Sequence, residues 1–182
     1  PKDVPASVMM YALPYALPLI NPKHMKAILA PDFRWHRCDI KSISLLGNIM
    51  ANEAAMNDLA YEAALVRDGM ISEGSHTNIF FVKNGTVITH PADNHILNGI
   101  TRMIVLALCQ NLDISVIERP IGEDEIEHMD EAFFTGTTTQ IASIAILGEH
   151  QFYVNDNIGK TTKRLQETFA KLRTMDTSQS KL

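Results

Sequence analysis

Residues 61–89 decide the fold. They read Tyr61-Glu-Ala-Ala-Leu-Val-Arg67, then Asp68-Gly69, then Met70-Ile-Ser-Glu73, then Gly74-Ser-His-Thr77. They continue as Asn78-Ile-Phe-Phe-Val82, Asn84-Gly85 and Thr86-Val-Ile-Thr89. Short β-rich runs broken by Asp-Gly and Asn-Gly read as hairpins, because those pairs adopt the positive φ that a two-residue turn requires. The stretch predicts four strands in a β-meander, its registers set by the two turns.

Working outward, Leu45, Leu46, Ile49, Met50 and Ala54 recur at helical spacing, which predicts a helix from Ile43 to about Asn57. A second helix opens at Gly99 and carries the stripe Ile100, Met103, Ile104, Ala107 and Leu108, ending near Leu112. Further strands are predicted at Phe33–Cys38, Ile114–Glu118, Glu131–Thr135, Ile141–Leu147 and Phe152–Val154, the last three forming a second meander. Gly122–Met129 reads as a short acidic helix, and Gly159 to about Arg173 as a terminal one. Six prolines in the first 31 residues block a long helix there and leave extended pieces at Val8–Tyr11 and Ala27–Leu29. Two meanders around helices make the class α+β.

Composition removes other classes. The 182 residues are 46% hydrophobic and 20% charged, enough for a packed core. The net charge of -5, with no dense basic run, gives nucleic acid no footprint. The apolar run Ala16–Ile20 is too short to span a bilayer. Two cysteines, Cys38 and Cys109, make no disulfide framework and suit a reducing cytoplasm. The seven histidines form no His-Glu-x-x-His, and no Cys-x-x-Cys occurs, so no metal site is expected. The start at Pro1 reads as an internal piece of a longer chain.

Four constellations could carry chemistry. Asp39-Ile-Lys41-Ser42 offers an amine where a strand gives way to a helix. Ser72-Glu73-Gly-Ser-His-Thr-Asn78 sets a carboxylate above a polar loop. Leu97-Asn-Gly-Ile100-Thr101-Arg102 starts a helix whose first N–H groups suit a phosphate. Gly136-Thr137-Thr-Thr139 adds hydroxyls. Taken singly, each has a plainer reading: a surface lysine, a solvated turn, an ordinary N-cap, a polar turn. Together they are the inventory for pyridoxal 5'-phosphate (PLP): an amine, a partner for the ring nitrogen and two phosphate-binding turns.

The chain also resembles the fold-type IV PLP enzymes, the D-amino acid and branched-chain aminotransferase-like family. The resemblance rests on Arg34-Trp-His-Arg-Cys-Asp-Ile-Lys-Ser42, Glu62-Ala-Ala-Leu-Val-Arg-Asp-Gly69, Ser72–Asn78, Gly99-Ile-Thr-Arg102 and Phe134-Thr-Gly-Thr137. The first of these looks closest to the D-amino acid aminotransferases. It implies a large-domain pseudo-barrel. It implies Lys41 as the lysine that holds the cofactor and shuttles protons, and Glu73 as the partner of the pyridine nitrogen. Leu97 would pack on the ring, Ile100, Thr101 and Thr137 would bind phosphate, and Arg34 would support the site from behind.

His76 stands where relatives often carry a small hydroxyl residue; it either touches a water at the cofactor or points outward. The implied organisation is a linker and leading segment over 1–30, a PLP-binding domain over 31–174 and a polar tail over 175–182. The family's smaller N-terminal domain is expected to be absent from this chain. The implied reaction is transamination of D-amino acids, D-alanine and 2-oxoglutarate giving pyruvate and D-glutamate, in a cytoplasmic homodimer. Two other readings stay open: 4-amino-4-deoxychorismate lyase or branched-chain aminotransferase on the same scaffold, and a truncated scaffold without catalysis.

Overall fold

A computed structural model describes residues 3–21 and 24–179; parts of the expected linker (1–2, 22–23) and of the expected tail (180–182) lie outside the described residues. Among the described residues, ten strands form one mixed sheet. In chain order they are β1 (Met25–Pro31), β2 (Glu62–Arg67), β3 (Met70–Gly74), β4 (Asn78–Lys83), β5 (Thr86–Thr89), β6 (Val116–Glu118), β7 (Ile121–Gly122), β8 (Glu131–Gly136), β9 (Gln140–Leu147) and β10 (His150–Gln151). Across the sheet the order is β6-β5-β4-β8-β9-β1-β2-β3-β7, with β10 beside β9. Three α-helices accompany it: α1 (Leu46–Asn57), α2 (Ile100–Asn111) and α3 (Lys160–Gln179), with a 3-10 helix at Glu123–His128.

Both expected hairpins form. Asp68 and Gly69 have φ of 52° and 74°, and Asn84 and Gly85 have 50° and 76°, the positive pair of a type I′ turn. The first meander does not form. β3 pairs with β2 and β7, whereas β4 pairs with β5 and β8, so the chain changes position in the sheet at Gly74–Thr77. Buried Glu62 is the physical reason. Its carboxylate accepts from the His76 N–H and the Thr77 hydroxyl and holds that loop folded, so it cannot form a turn between adjacent strands. The second meander forms through β8, β9 and β10, although its last strand lies at His150–Gln151 and not at Phe152–Val154.

The sheet is curled. Ile71 of β3 and Ile121 of β7, at one end of the strand order, share a single core with Ile79, Phe81 and Ile88 of β4 and β5, near the other end. The opposite face of β4 and β8 carries Phe80, Val82 and Phe133, packed with Val105 and Cys109 of α2 and Leu165 and Phe169 of α3. β4 is therefore buried on both faces, and its apolar residues run without interruption for that reason. The Phe80 and Phe133 rings stack at 5.0 Å, on residues that pair directly across the two strands.

Other expectations are corrected. Phe33–Cys38 is a series of bends and turns. After Pro31 the Arg34 N–H turns back to Asp32 Oδ1, and the Cys38 N–H is bound by the Asn94 carbonyl of a loop, so no strand partner is available. The Val8–Tyr11 piece has no regular structure. The expected extended piece Ala27–Leu29 does form, within β1, which runs parallel to both β2 and β9 near the middle of the sheet. The helical stripes are also misplaced. α1 buries Ala51 and Ala55 and exposes Leu46, Ile49 and Met50. α2 buries Thr101, Arg102, Val105, Leu108 and Cys109 and exposes Ile100. α3 continues through Gln179, into the expected tail.

Candidate active site

Arg34, Lys41, Glu73, Leu97, Ile100, Thr101 and Thr137 all line one cavity of about 680 Å³. It opens where the hairpins separate at Gly74–Thr77, between the bends before α1, the start of α2 and the β8–β9 turn. The residues come from four separate parts of the chain.

Glu73 forms the buried floor. Arg34 Nη1 donates to its Oε1 at 2.5 Å, Asn78 Nδ2 to its Oε2 at 2.9 Å, and the Leu97 N–H to both oxygens at 3.1–3.2 Å. Burial pushes the Glu73 carboxyl up to about 7, against the opposing pull of Arg34. The Arg34 guanidinium also donates to Asp32 through Nε and Nη2 and to the His95 carbonyl. Burial would raise Asp32 too, but the bonds and charge of Arg34, with a bond from Arg67, hold it below the usual carboxylate range. The floor is rigid and its charge nearly balanced.

Lys41 is exposed on the cavity wall, and among the described residues it pairs with no carboxylate, so its amine is available to a ligand. The α2 N-terminus lies at the same cavity. Gly99 is extended (φ -66°, ψ 145°), and no side chain caps the helix, which leaves its first N–H groups for an anion. Gly99 has a packing reason as well: a Cβ there would overlap Asn78 Oδ1. Thr101 is buried, Thr137 exposed, and Leu97 half-buried between them and Glu73. Thr135 borders the cavity, and its Oγ1 is buried without a hydrogen-bond partner among the described residues. An amine, an anchored carboxylate, uncapped N–H groups and an orphan hydroxyl around one cavity fit PLP.

Four neighbours escaped the sequence reading. Asp32 and Asn78 anchor the floor. Asn48 of α1 donates to the Ser75 carbonyl at 2.7 Å and holds the loop from the other side. Glu62 is fully buried beneath that loop, and burial pushes its carboxyl up to about 7. Asn78 and Glu62 stood inside the quoted stretches, but a polar residue at a strand end looks the same whether it faces water or a site. His76 lines the cavity with its side chain 46% exposed, and burial pushes its imidazole down. Arg102 does not face the cavity: its guanidinium is buried on Asn98, the His90 carbonyl and Glu118.

Comparison with known proteins gives the family and supports the fold. The amino-transferase class IV model matches residues 1–147. The D-alanine aminotransferase of Bacillus licheniformis is 38% identical over 157 residues, 84% of this chain and 55% of that protein. The branched-chain aminotransferase of Thermoproteus uzoniensis, solved with norvaline, superposes with a TM-score of 0.78 at 28% identity, over 94% of this chain and 57% of that one. The branched-chain amino acid aminotransferase of Thermobaculum terrenum, solved in its PLP form, gives 0.76 at 26% identity, over 82% and 51%. The chain spans little more than half the length of the curated relatives it matches. With more than half of its residues matched, the chain belongs to the class IV aminotransferases.

Proposed function

We propose that this chain is the PLP-holding part of an aminotransferase that moves an amino group between a D-amino acid and a 2-oxo acid. The observation that carries the reading is the convergence of Lys41, anchored Glu73 and the uncapped start of α2 on one cavity. Bound PLP supplies an electron sink for the charge left when a substrate α-proton departs.

The chain's residues do the rest. Lys41 Nζ would hold the cofactor, and would take and return the α-proton. Glu73 would stabilise the protonated ring nitrogen. Arg34 and the Leu97 N–H keep that carboxylate in place. The first N–H groups of α2, with the Thr101 and Thr137 hydroxyls, would hold the phosphate. Leu97 would pack on the ring and help to exclude water.

D-alanine with 2-oxoglutarate is the preferred pair, because the curated relatives are D-alanine aminotransferases. A branched-chain substrate is the second reading, since the solved structures quoted above are branched-chain aminotransferases. The activity belongs to the whole protein, with a further domain and a second subunit as its partners. The exposed apolar row Ile40, Ile43, Leu46, Ile49 and Met50 near the cavity supports such a cover. A reducing cytoplasm suits the two buried free thiols.

Borohydride reduction in the presence of PLP, followed by peptide mapping, tests the reading. One adduct on Lys41, absent in Lys41→Ala, is expected. Adducts spread over other lysines would overturn it. In the whole protein, turnover of D-alanine over L-leucine supports the first substrate assignment, and the reverse supports the second.

A further inference from the structure

The histidine spacing gave no metal motif, yet the fold gathers His90, Asp93 and His95 on the segment that leads to Leu97. One ligand atom from each lies within 4.8 Å of the other two. His95 Nδ1 is 3.5 Å from Asp93 Oδ1, and His90 Nδ1 is 3.8 Å from the same oxygen. Ligand atoms bound at about 2.0–2.2 Å around a zinc-like ion lie roughly 3–3.5 Å apart, so closure onto an ion needs only small side-chain shifts.

The surroundings favour this use. The backbone of the cluster is fixed: the His95 N–H donates to Asp93 Oδ1, the His95 carbonyl accepts from Arg34, and the His90 carbonyl accepts from Arg102. The His90 side chain is buried at 6% exposure, while Asp93 and His95 are open at 39% and 36%. An ion would therefore have a seated inner ligand and a solvent side for waters. His36 stands nearby, its ring 6.2 Å from that of His95, but its Nδ1 pairs with Arg67 and it is not counted among the ligands. One bond competes. His90 Nδ1 lies 2.9 Å from the Pro91 carbonyl, so Nδ1 must lose its proton, or the ring must present Nε2, when an ion binds.

We propose that His90, Asp93 and His95 form a site for a borderline-soft divalent cation such as Zn2+. Two imidazoles and one carboxylate suit zinc, nickel or copper, and not Mg2+, which prefers an all-oxygen shell. The bound ion pins residues 90–95, two positions before the Leu97 N–H that anchors Glu73.

Zinc titration of the full chain against a chromophoric chelator tests this, with Mg2+ as the control ion. One equivalent of zinc is expected, with affinity reduced about tenfold or more in His95→Ala and in Asp93→Asn. Asp93→Asn keeps the oxygen that accepts the His95 N–H, so it separates loss of charge from loss of loop shape. Zinc should also raise the thermal midpoint of the wild type and not that of His95→Ala. His24→Ala, which alters an exposed histidine paired with Asp156, should bind as the wild type does. Unchanged zinc affinity in His95→Ala, loss of binding in His24→Ala, or no stoichiometric binding would overturn the proposal.

Discussion

Arg34 donates to Glu73 through Nη1 and grips Asp32 through Nε and Nη2, so one buried guanidinium holds two carboxylates at once. Removing it takes the shared cation from both acids in a low-dielectric site; among the described residues Arg67 and the Ser72 hydroxyl remain on Asp32, and Asn78 and the Leu97 N–H on Glu73. Breaking a buried pair in this way costs about 3–5 kcal/mol. Arg34→Ala should lower the urea-unfolding free energy by that amount, and for a chain of this size the thermal midpoint by on the order of 10 °C. A loss below about 1 kcal/mol would mean that water replaces the guanidinium freely, and the floor of the cavity would then not be the rigid element described above.

Glu62 gives the molecule a distinctive response to pH. Its carboxylate is fully buried and is satisfied by backbone and hydroxyl donors from Ser75–Thr77, with no Arg or Lys bonded to it among the described residues. Burial moves the group from its ordinary 4.5 to about 7. Between those values the folded chain holds a proton that the unfolded chain has lost. Stability from this group is therefore full below about 4.5, declines as pH rises towards 7, and is flat above. The span is on the order of 3 kcal/mol. Glu73 is displaced in the same direction, so the wild type carries both contributions. Glu62→Gln cannot ionise, and its unfolding free energy should fall distinctly less between pH 5 and 7.5 when followed by denaturant titration. Parallel curves for variant and wild type would show that Glu62 titrates near its ordinary value.

What the sequence revealed and what it hid divide along a physical line. The turns at Asp68-Gly69 and Asn84-Gly85 were legible because two adjacent residues carry the whole requirement for positive φ. The separation of β3 from β4 was not. It depends on β4 pairing with β8, about fifty residues later, and on one buried carboxylate under the loop between them. The seven expected residues all line the cavity. Lys41, Glu73, Ile100, Thr101 and Thr137 stood in stretches whose residue types suit an amine, a carboxylate and anion binding, whereas Arg34 and the role of Leu97 came from the family resemblance alone. Asn48 was not legible, because its partner Ser75 lies on another part of the chain. Asp32 was not either: its partner Arg34 stands only two residues on, and such a pair reads the same on a solvated turn. In α2 the periodicity misled. An apolar stripe was expected at the interface, whereas the helix buries Thr101 and Arg102 to serve the cavity and Glu118.

The start of α3 depends on a residue of another element. The Thr161 and Thr162 N–H groups donate to the carboxylate of Glu131 on β8 at 3.0 and 2.7 Å, and the Thr162 hydroxyl adds a third bond. The carboxylate therefore caps the helix and meets the positive end of its dipole. Gly159 makes room, since a Cβ there would overlap the Glu131 side chain. Glu131→Ala should cost about 1–2 kcal/mol, with amide exchange accelerated in the first turn of α3 before elsewhere. Uniform acceleration over the whole chain would instead mark a core defect.

Gly74 and Gly69 separate two reasons for a glycine. Gly69 has φ of 74° with open space around it, so an added methyl meets no atom and the cost is conformational alone. Gly69→Ala should cost about 1–2 kcal/mol and leave the cavity unchanged. Gly74 ends β3 without a positive φ, but its Cβ would overlap Thr77 Oγ1 and the Glu62 carboxylate. Neither can withdraw easily, because Thr77 donates to Glu62 and both are buried. Gly74→Ala should therefore displace the Ser75–Thr77 loop, costing about 1–3 kcal/mol by overpacking, and distort the wall beside Glu73. Equilibrium dialysis against PLP, run beside denaturant titration, distinguishes the two variants. At similar stability, Gly69→Ala should retain PLP and Gly74→Ala should lose much of it. Equal retention would show that the loop relaxes without moving the cavity wall, and that Glu62 shapes the fold but not the site.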